Sequence, residues 1–336
     1  MAQSIPLIRA ANVLPLVRWM EVNRVNTAAY LEKADLSYWF ALSPLDAIPT
    51  LNAAQLLRDL ARDYEADVGI KIVTQASLAE LGFIGGVALG ARTPLEALQR
   101  LAFALPLHSS HETLRIENNG ADVTVTLANT LGLDAESQHA VHVLFSSLMQ
   151  QLCLFTGLRA PVLKRIAMTS HPEAGLSHVA SLTYDGVYEE TLPAIMVTIE
   201  ASVALNPFRT VARDRTATPA AMQMPPLMEG SGFAASLRPV ISAMLHGGYP
   251  SVSRVARAGG TSVRSLQRRL GKEGTSFSEQ LDLVRRKLVM SHLATEDVSL
   301  ADLSERLGYT EQSALTRAVR RLTGRTPSEL IDENQR

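Results

Sequence analysis

A chain of 336 residues, 46% hydrophobic and 19% charged, has the composition of a globular protein large enough for two domains. The longest uncharged apolar run, LGFIGGVALGA at 81–91, is about half of what a membrane helix needs, and the N-terminus lacks the pattern of a signal peptide. One cysteine, Cys153, excludes an internal disulfide, so a cytoplasmic setting without membrane attachment is expected. The net charge of −1 hides an asymmetry. Residues 1–230 hold 16 Lys+Arg against 22 Asp+Glu, whereas residues 231–336 hold 16 against 11. The balance is therefore −6 on the body and +5 on the last third, which fits a polyanion-binding segment attached to something else.

In chain order, LIRAANVLPLVRWM and NAAQLLRDLARDYEAD carry apolar residues at helical spacing. GFIGGVALG at 82–90 is glycine-rich but lacks the phosphate-binding pattern, and a tight loop is expected there. Thr93-Pro94 reads as an N-cap followed by proline at the first helical position. In ETLRIENNGADVTVTLAN, two alternating segments flank Asn119-Gly120, a hairpin signal. Residues 137–155 return to helix, with Cys153 as a core residue. VLKRIAMTSH, SHVASLTYDG and PAIMVTIEAS read as short strands. The order predicts an α+β N-terminal domain with a mostly antiparallel sheet over 1–205. Residues 206–231, rich in Pro, Thr, Met and Gly, read as a linker. Residues 232–336 read as all-α, starting with a helix at Phe233–Leu245.

That last segment contains one unit twice, Gly260 and Gly308 marking equivalent turns. In the first, Ser251 caps SVSRVARA, Gly259-Gly260 turn the chain, and Thr261 or Ser262 caps SVRSLQRRL. Val263, Leu266 and Leu270 face inward; Arg264, Ser265, Gln267 and Arg268 face out. In the second, Ser299 caps LADLSERL and Gly308 makes the turn. The following helix, EQSALTRAVRRL, buries Ala314, Leu315, Ala318 and Leu322 and exposes Gln312, Ser313, Thr316, Arg317 and Arg320. Arg pairs bidentately with guanine and Gln with adenine in the major groove, while Ser and Thr hydroxyls and helix N-termini hold phosphates. The helix expected between the units, about 24 Å long, suits two recognition helices about one turn of DNA apart. Together these features predict a tandem helix-turn-helix DNA-binding domain.

Residues 251–330 resemble the DNA-binding domain of AraC/XylS-type bacterial transcription regulators, most specifically from Gly308 through the Gly-x-x-Pro at 324–327. Leu315 and Val319 stand where that family usually has aromatic residues. The resemblance implies that Arg264, Arg268, Gln312, Ser313, Thr316 and Arg317 face bases, with Arg269 and Arg320 at phosphates or in ion pairs. Residues 1–205 are similar to the sensor domain of the branch that includes ornithine- and virulence-responsive regulators. That similarity implies a homodimer and a small-molecule effector. Amino acids, fatty acids and cyclic dinucleotides are candidates, and the sequence does not choose among them. Activation through RNA polymerase is the commoner family behaviour. Two competing readings are an enzyme with a helical partner-binding tail and a nonspecific architectural DNA binder. No catalytic constellation, cofactor motif or metal set favours the first: His139 and His142 share a helical face, but neither a cysteine pair nor a His-Glu-x-x-His accompanies them. Arg209-x-x-x-Arg213 in the linker reads as solvated.

Overall fold

Helix and strand signals fall where local chemistry is strong. A computed structural model describes residues 4–209, 224–293, 312–327 and 329. Short strands β1 (Leu7–Arg9) and β2 (Ala47–Pro49) pair antiparallel. Around them lie helices α1 (Leu14–Val22), α2 (Thr27–Lys33), α3 (Thr50–Asp63) and α4 (Val68–Ile72). The chain continues through α5 (Ser77–Glu80), α6 (Phe83–Leu89) and α7 (Pro94–Ala104). Thr93 caps α7 by accepting a hydrogen bond from Glu96 N (3.2 Å), with Pro94 in the first turn, as the sequence predicts.

The predicted hairpin is also present. Strands β3 (Glu112–Asn118) and β4 (Asp122–Asn129) pair antiparallel, with Leu114 opposite Leu127 and Ile116 opposite Val125. At the turn, Gly120 takes φ +90° and Asn119 Oδ1 accepts from Asp122 N at 2.8 Å. After α8 (Ala135–Leu154) come β5 (Arg165–Met168), β6 (Val187–Glu189) and β7 (Ala194–Glu200), followed by the short α9 (Ala201–Ala204). The sheet order is β3-β4-β7-β5-β6, antiparallel except between β5 and β6. The α+β reading with a mostly antiparallel sheet therefore holds.

Three local expectations are overturned. Residues 82–90 are not a loop: Gly82 (φ +62°) starts helix α6. Gly85 is glycine because of close packing, since a Cβ there would stand 1.5 Å from the Leu78 carbonyl oxygen. Ser177–Leu182 is a 3-10 helix rather than a strand. Its buried residues, Val179 and Leu182, are three apart and so eclipse on one side of such a helix. Leu7–Arg9 is extended rather than helical because it is gripped from both sides. Beyond the β2 pairing, Arg9 N donates to His108 O (3.0 Å) and Ser110 N to Leu7 O (2.9 Å).

The C-terminal segment starts with α10 (Phe233–Leu245), as predicted, and continues with α11 (Val252–Ala258), α12 (Val263–Lys272), α13 (Phe277–Leu293) and α14 (Gln312–Thr323). Two apolar cores hold the molecule together. One lies against the five-stranded sheet under α6, α7 and α8. The other joins the N-terminal helices to the C-terminal ones, putting Leu7, Leu56 and Leu60 in one cluster with Phe233, Ile241, Leu266 and Leu270. Polar contacts cross the same seam. Ile5 N donates to Ser236 Oγ (2.8 Å), and Arg254 donates to Asp35 (2.7 Å) while lying over the Tyr38 ring at 5.5 Å. Among the described residues, no helix is long and apolar enough to cross a membrane.

Cys153 is buried, and burial pushes its thiol up to about 12. The paired histidines are buried and hydrogen-bonded: His139 Nδ1 donates to Thr169 O (2.8 Å), and His142 Nδ1 accepts from Thr169 N (3.2 Å). No group of ligands that could hold a metal occurs among the described residues. Burial lowers His139 to about 4 and His142 to about 3. Both stay neutral when folded but titrate near 6.5 when unfolded, so the unfolded chain binds more protons in mild acid. Their stabilising contribution is present above about pH 6.5 and is lost as the pH falls toward 4. We expect each to cost roughly 1 kcal/mol per pH unit through that window, read as a lower melting temperature at about pH 5.5 than at about pH 7.5. Replacing either histidine with glutamine should flatten the dependence.

Candidate nucleic-acid interface

The first helix-turn-helix is built from caps and one glycine. Ser251 Oγ accepts from Arg254 N (3.2 Å) to open α11, and Ser262 Oγ accepts from Ser265 N (3.2 Å) to open α12. Between them only Gly260 takes positive φ, at +60°; Gly259, with φ −86°, still belongs to the helix end. The turn is seated on the N-terminal half. A Cβ on Gly260 would stand 2.7 Å from Leu51 Cδ1, and one on Gly259 3.1 Å from Ile5 Cγ1. Leu266 and Leu270 are fully buried, and Val263 is half-buried. The 3.6-residue period then leaves Arg264, Gln267 and Arg268 exposed beside the exposed Ser262 and the half-buried Ser265.

Arg269 is half-buried, with its guanidinium 5.2 Å from the Phe233 ring centroid. Close by, Glu273 caps a different helix. Its carboxylate accepts from Phe233 N (2.7 Å) and Ala234 N (2.9 Å), so the end of α12 is fastened to the start of α10. Gly232 (φ +98°) precedes this cap, where a Cβ would stand 2.8 Å from Glu273 Oε1. The spacer helix α13 opens with a capping box: Glu279 Oε2 accepts from Ser276 N (2.8 Å) and Ser276 Oγ from Glu279 N (3.3 Å). It runs for 17 residues.

In the second unit, α14 exposes Ser313, Arg317 and Arg320, with Thr316 half-buried and Val319 buried. Arg321 donates to Asp282 on α13 at 2.8 Å, tying helix to spacer. The Gly-x-x-Pro run forms a stop and a restart. Gly324 takes φ +79°, and Thr326 and Glu329 exchange capping bonds of 2.7 and 3.4 Å around Pro327. The predicted helix 300–307 with its cap Ser299, the turn at Gly308 and the side chains of Gln312, Ala314, Leu315, Ala318 and Leu322 lie outside the described residues, as does Arg213 of the linker motif.

Ser262, Arg264, Ser265, Gln267 and Arg268 thus share one outer surface of α12, and Ser313, Thr316, Arg317 and Arg320 lie on α14. Sequence reasoning passed over Arg257 and Lys272, both exposed in the last turns of α11 and α12. The signal was available, since basic residues late in a helix complement its dipole while staying open to phosphate. The seat of the turn on Leu51 and Ile5 carried no local signal.

A polar, basic helix-turn-helix on an α+β body defines the class of a DNA-binding protein. Residues 255–333 match the helix-turn-helix domain family, and residues 25–184 match the arabinose-binding N-terminal domain of the AraC transcription regulator. The chain belongs to the AraC-type transcription regulators. The ornithine utilization regulator of Pseudomonas aeruginosa is 37% identical over 83 residues, covering 25% of this chain and 24% of that one. The transcriptional activator NphR of Rhodococcus is 32% identical over 97 residues, 29% of each chain. The matched segments therefore span less than a third of these curated relatives. The crystal structure of the regulator CdpR from Pseudomonas aeruginosa aligns over 96% of this chain and 97% of that one, at 21% identity and a TM-score of 0.40.

Proposed function

We propose that this regulator binds a double-stranded DNA operator as a homodimer in the cytoplasm. In this reading residues 232–336 read two adjacent major-groove segments through α12 and α14, while residues 1–205 dimerise and receive a small-molecule effector. The reading requires no catalytic step and no cofactor. The observation that carries it is the pair of helices with arginine-bearing outer faces, one on either side of a 17-residue spacer. Ser262 and the N-terminal amides of α12 suit phosphate, while Arg264, Gln267 and Arg268 suit base edges. Activation, with RNA polymerase as a partner, is favoured by the activator name of the Rhodococcus relative.

Footprinting of the full chain on genomic DNA tests the reading. Paired protected sites are expected, with binding that weakens steeply as salt rises because each phosphate contact releases about one counterion. For six such contacts the loss between about 50 and 200 mM salt is on the order of a thousandfold. Equal affinity for the protected site and for random duplex at matched salt would instead indicate an architectural binder.

A further inference from the structure

Where the two cores meet, the body holds a partly open cavity of about 170 Å³. Apolar side chains from both cores line it, among them Leu57 on α3, Ile84 on α6, Leu114 on β3 and Leu144 and Leu148 on α8. Only four polar side chains reach it: Asn12, Thr50, His108 and Glu112. The fold brings the last three to one end. Arg9 N bonds His108 O (3.0 Å), Ser110 N bonds Leu7 O (2.9 Å) and Thr50 N bonds Pro6 O (3.0 Å), so β1 fastens the start of α3 to the segment leading into β3.

Two of these groups are buried without a partner. Thr50 is 5% and His108 4% exposed, and neither Thr50 Oγ1 nor His108 Nδ1 makes a hydrogen bond. A buried polar atom left unpaired is costly, and its presence at the wall of a cavity marks a place where a guest can supply the missing bond. Burial, reinforced by the nearby Arg9 charge, lowers His108 to about 4, so its ring is neutral at physiological pH. Burial raises Glu112 against the opposing effect of the Ser109 hydroxyl.

Size and polarity narrow the guest. An apolar cavity of about 150 Å³ accepts benzene, so this one holds a ring or short chain with a small head, roughly nine or ten non-hydrogen atoms. A sugar would leave most of its hydroxyls unpaired against leucines. A cyclic dinucleotide is several times too large, and a long-chain fatty acid has about twice the atoms that can be buried there. Among the described residues neither lysine nor arginine lines the wall, so a carboxylate would meet Glu112 without a counter-charge from the lining.

We propose that this cavity is the effector site, and that it takes a compact, largely apolar molecule whose single head group donates a hydrogen bond to Glu112 and exchanges others with Thr50 and His108. The proposal rests on the effector reading above and deepens it. Four size-matched probes test it on the full chain without DNA: phenethyl alcohol, phenethylamine, phenylacetate and ethylbenzene. Phenethyl alcohol and phenethylamine should raise the melting temperature by about 3 °C or more at a hundredfold excess over Kd. Phenylacetate and ethylbenzene should bind at least about tenfold more weakly. Ala54→Leu, which fills the cavity, should abolish the shift. Glu112→Gln, which keeps the shape, should weaken the amine more than the alcohol. No shift with any probe, tightest binding of phenylacetate, or an unchanged shift in Ala54→Leu would overturn the site. Operator binding by the same preparation separates the two failures. If DNA is bound and no probe is, the cavity assignment fails and the DNA-reading function stands; if DNA is not bound, that function fails whatever the probes do.

Discussion

Arg264→Ala and Arg317→Ala should each weaken operator binding by about 1–3 kcal/mol, and each should relax base preference at its own position. Both side chains are exposed on helices whose opposite faces are held in place, by Leu266 and Leu270 on α12 and by Val319 on α14. An arginine fixed in this way can meet guanine O6 and N7 together, and its loss leaves that base unread. Phosphate contacts behave differently. Arg320→Ala should weaken all duplexes about equally and lower the salt slope by about one. Gel shifts with the operator and with single-base variants of it distinguish the two patterns. If both alanine variants keep wild-type affinity and base preference, α12 and α14 are not the reading helices.

Phe233→Ala should cost about 3–5 kcal/mol of stability, the loss expected when a buried aromatic leaves a cavity behind. Phe233 is 1% exposed, lies beneath the Arg269 guanidinium and belongs to the cluster that contains Leu7, Leu56 and Leu60. The damage should therefore reach the other end of the chain. Trp19 and Trp39, the two tryptophans of the sequence, both pack against that same cluster. Melting followed by their fluorescence should fall by roughly 4–7 °C, in step with the loss of helix signal. A control, Phe103→Ala, removes a ring that is 84% exposed and should change stability by no more than about 0.5 kcal/mol. A fluorescence midpoint that stays put while the helix signal melts early would mean that the two halves do not share a core.

Features written within a few residues were legible in the sequence. Thr93-Pro94, Asn119-Gly120, Ser251 and Ser262 do what their chemistry predicts, because a cap or a tight turn is satisfied by neighbours in the chain. The outer face of α12 was legible for the same reason, since a 3.6-residue period separates Leu266 and Leu270 from Arg264 and Arg268. Features that depend on distant partners were not. Ile5 and Ser236 are 231 positions apart, and nothing near either one announces their hydrogen bond. Gly85 looked like a loop glycine because the Leu78 carbonyl that demands it belongs to another helix. Val179 and Leu182 read as strand residues in sequence because so short a segment does not separate a period of two from a period of three. The polar end of the cavity, assembled from Thr50, His108 and Glu112, has no signature in the order of residues at all.

Helix α3 serves two neighbours at once. Thr50, Ala53, Ala54 and Leu57 form part of the cavity wall, while Leu51, one residue along from Thr50, sits under the turn at Gly260. A guest that displaces this helix would act on the seat of the first helix-turn-helix. Linkage makes the traffic two-way: if occupancy changes the hold on an operator, then an operator must change the hold on the guest by the same factor. Such a protein would hold its signal with an affinity that depends on whether it is sitting on a promoter.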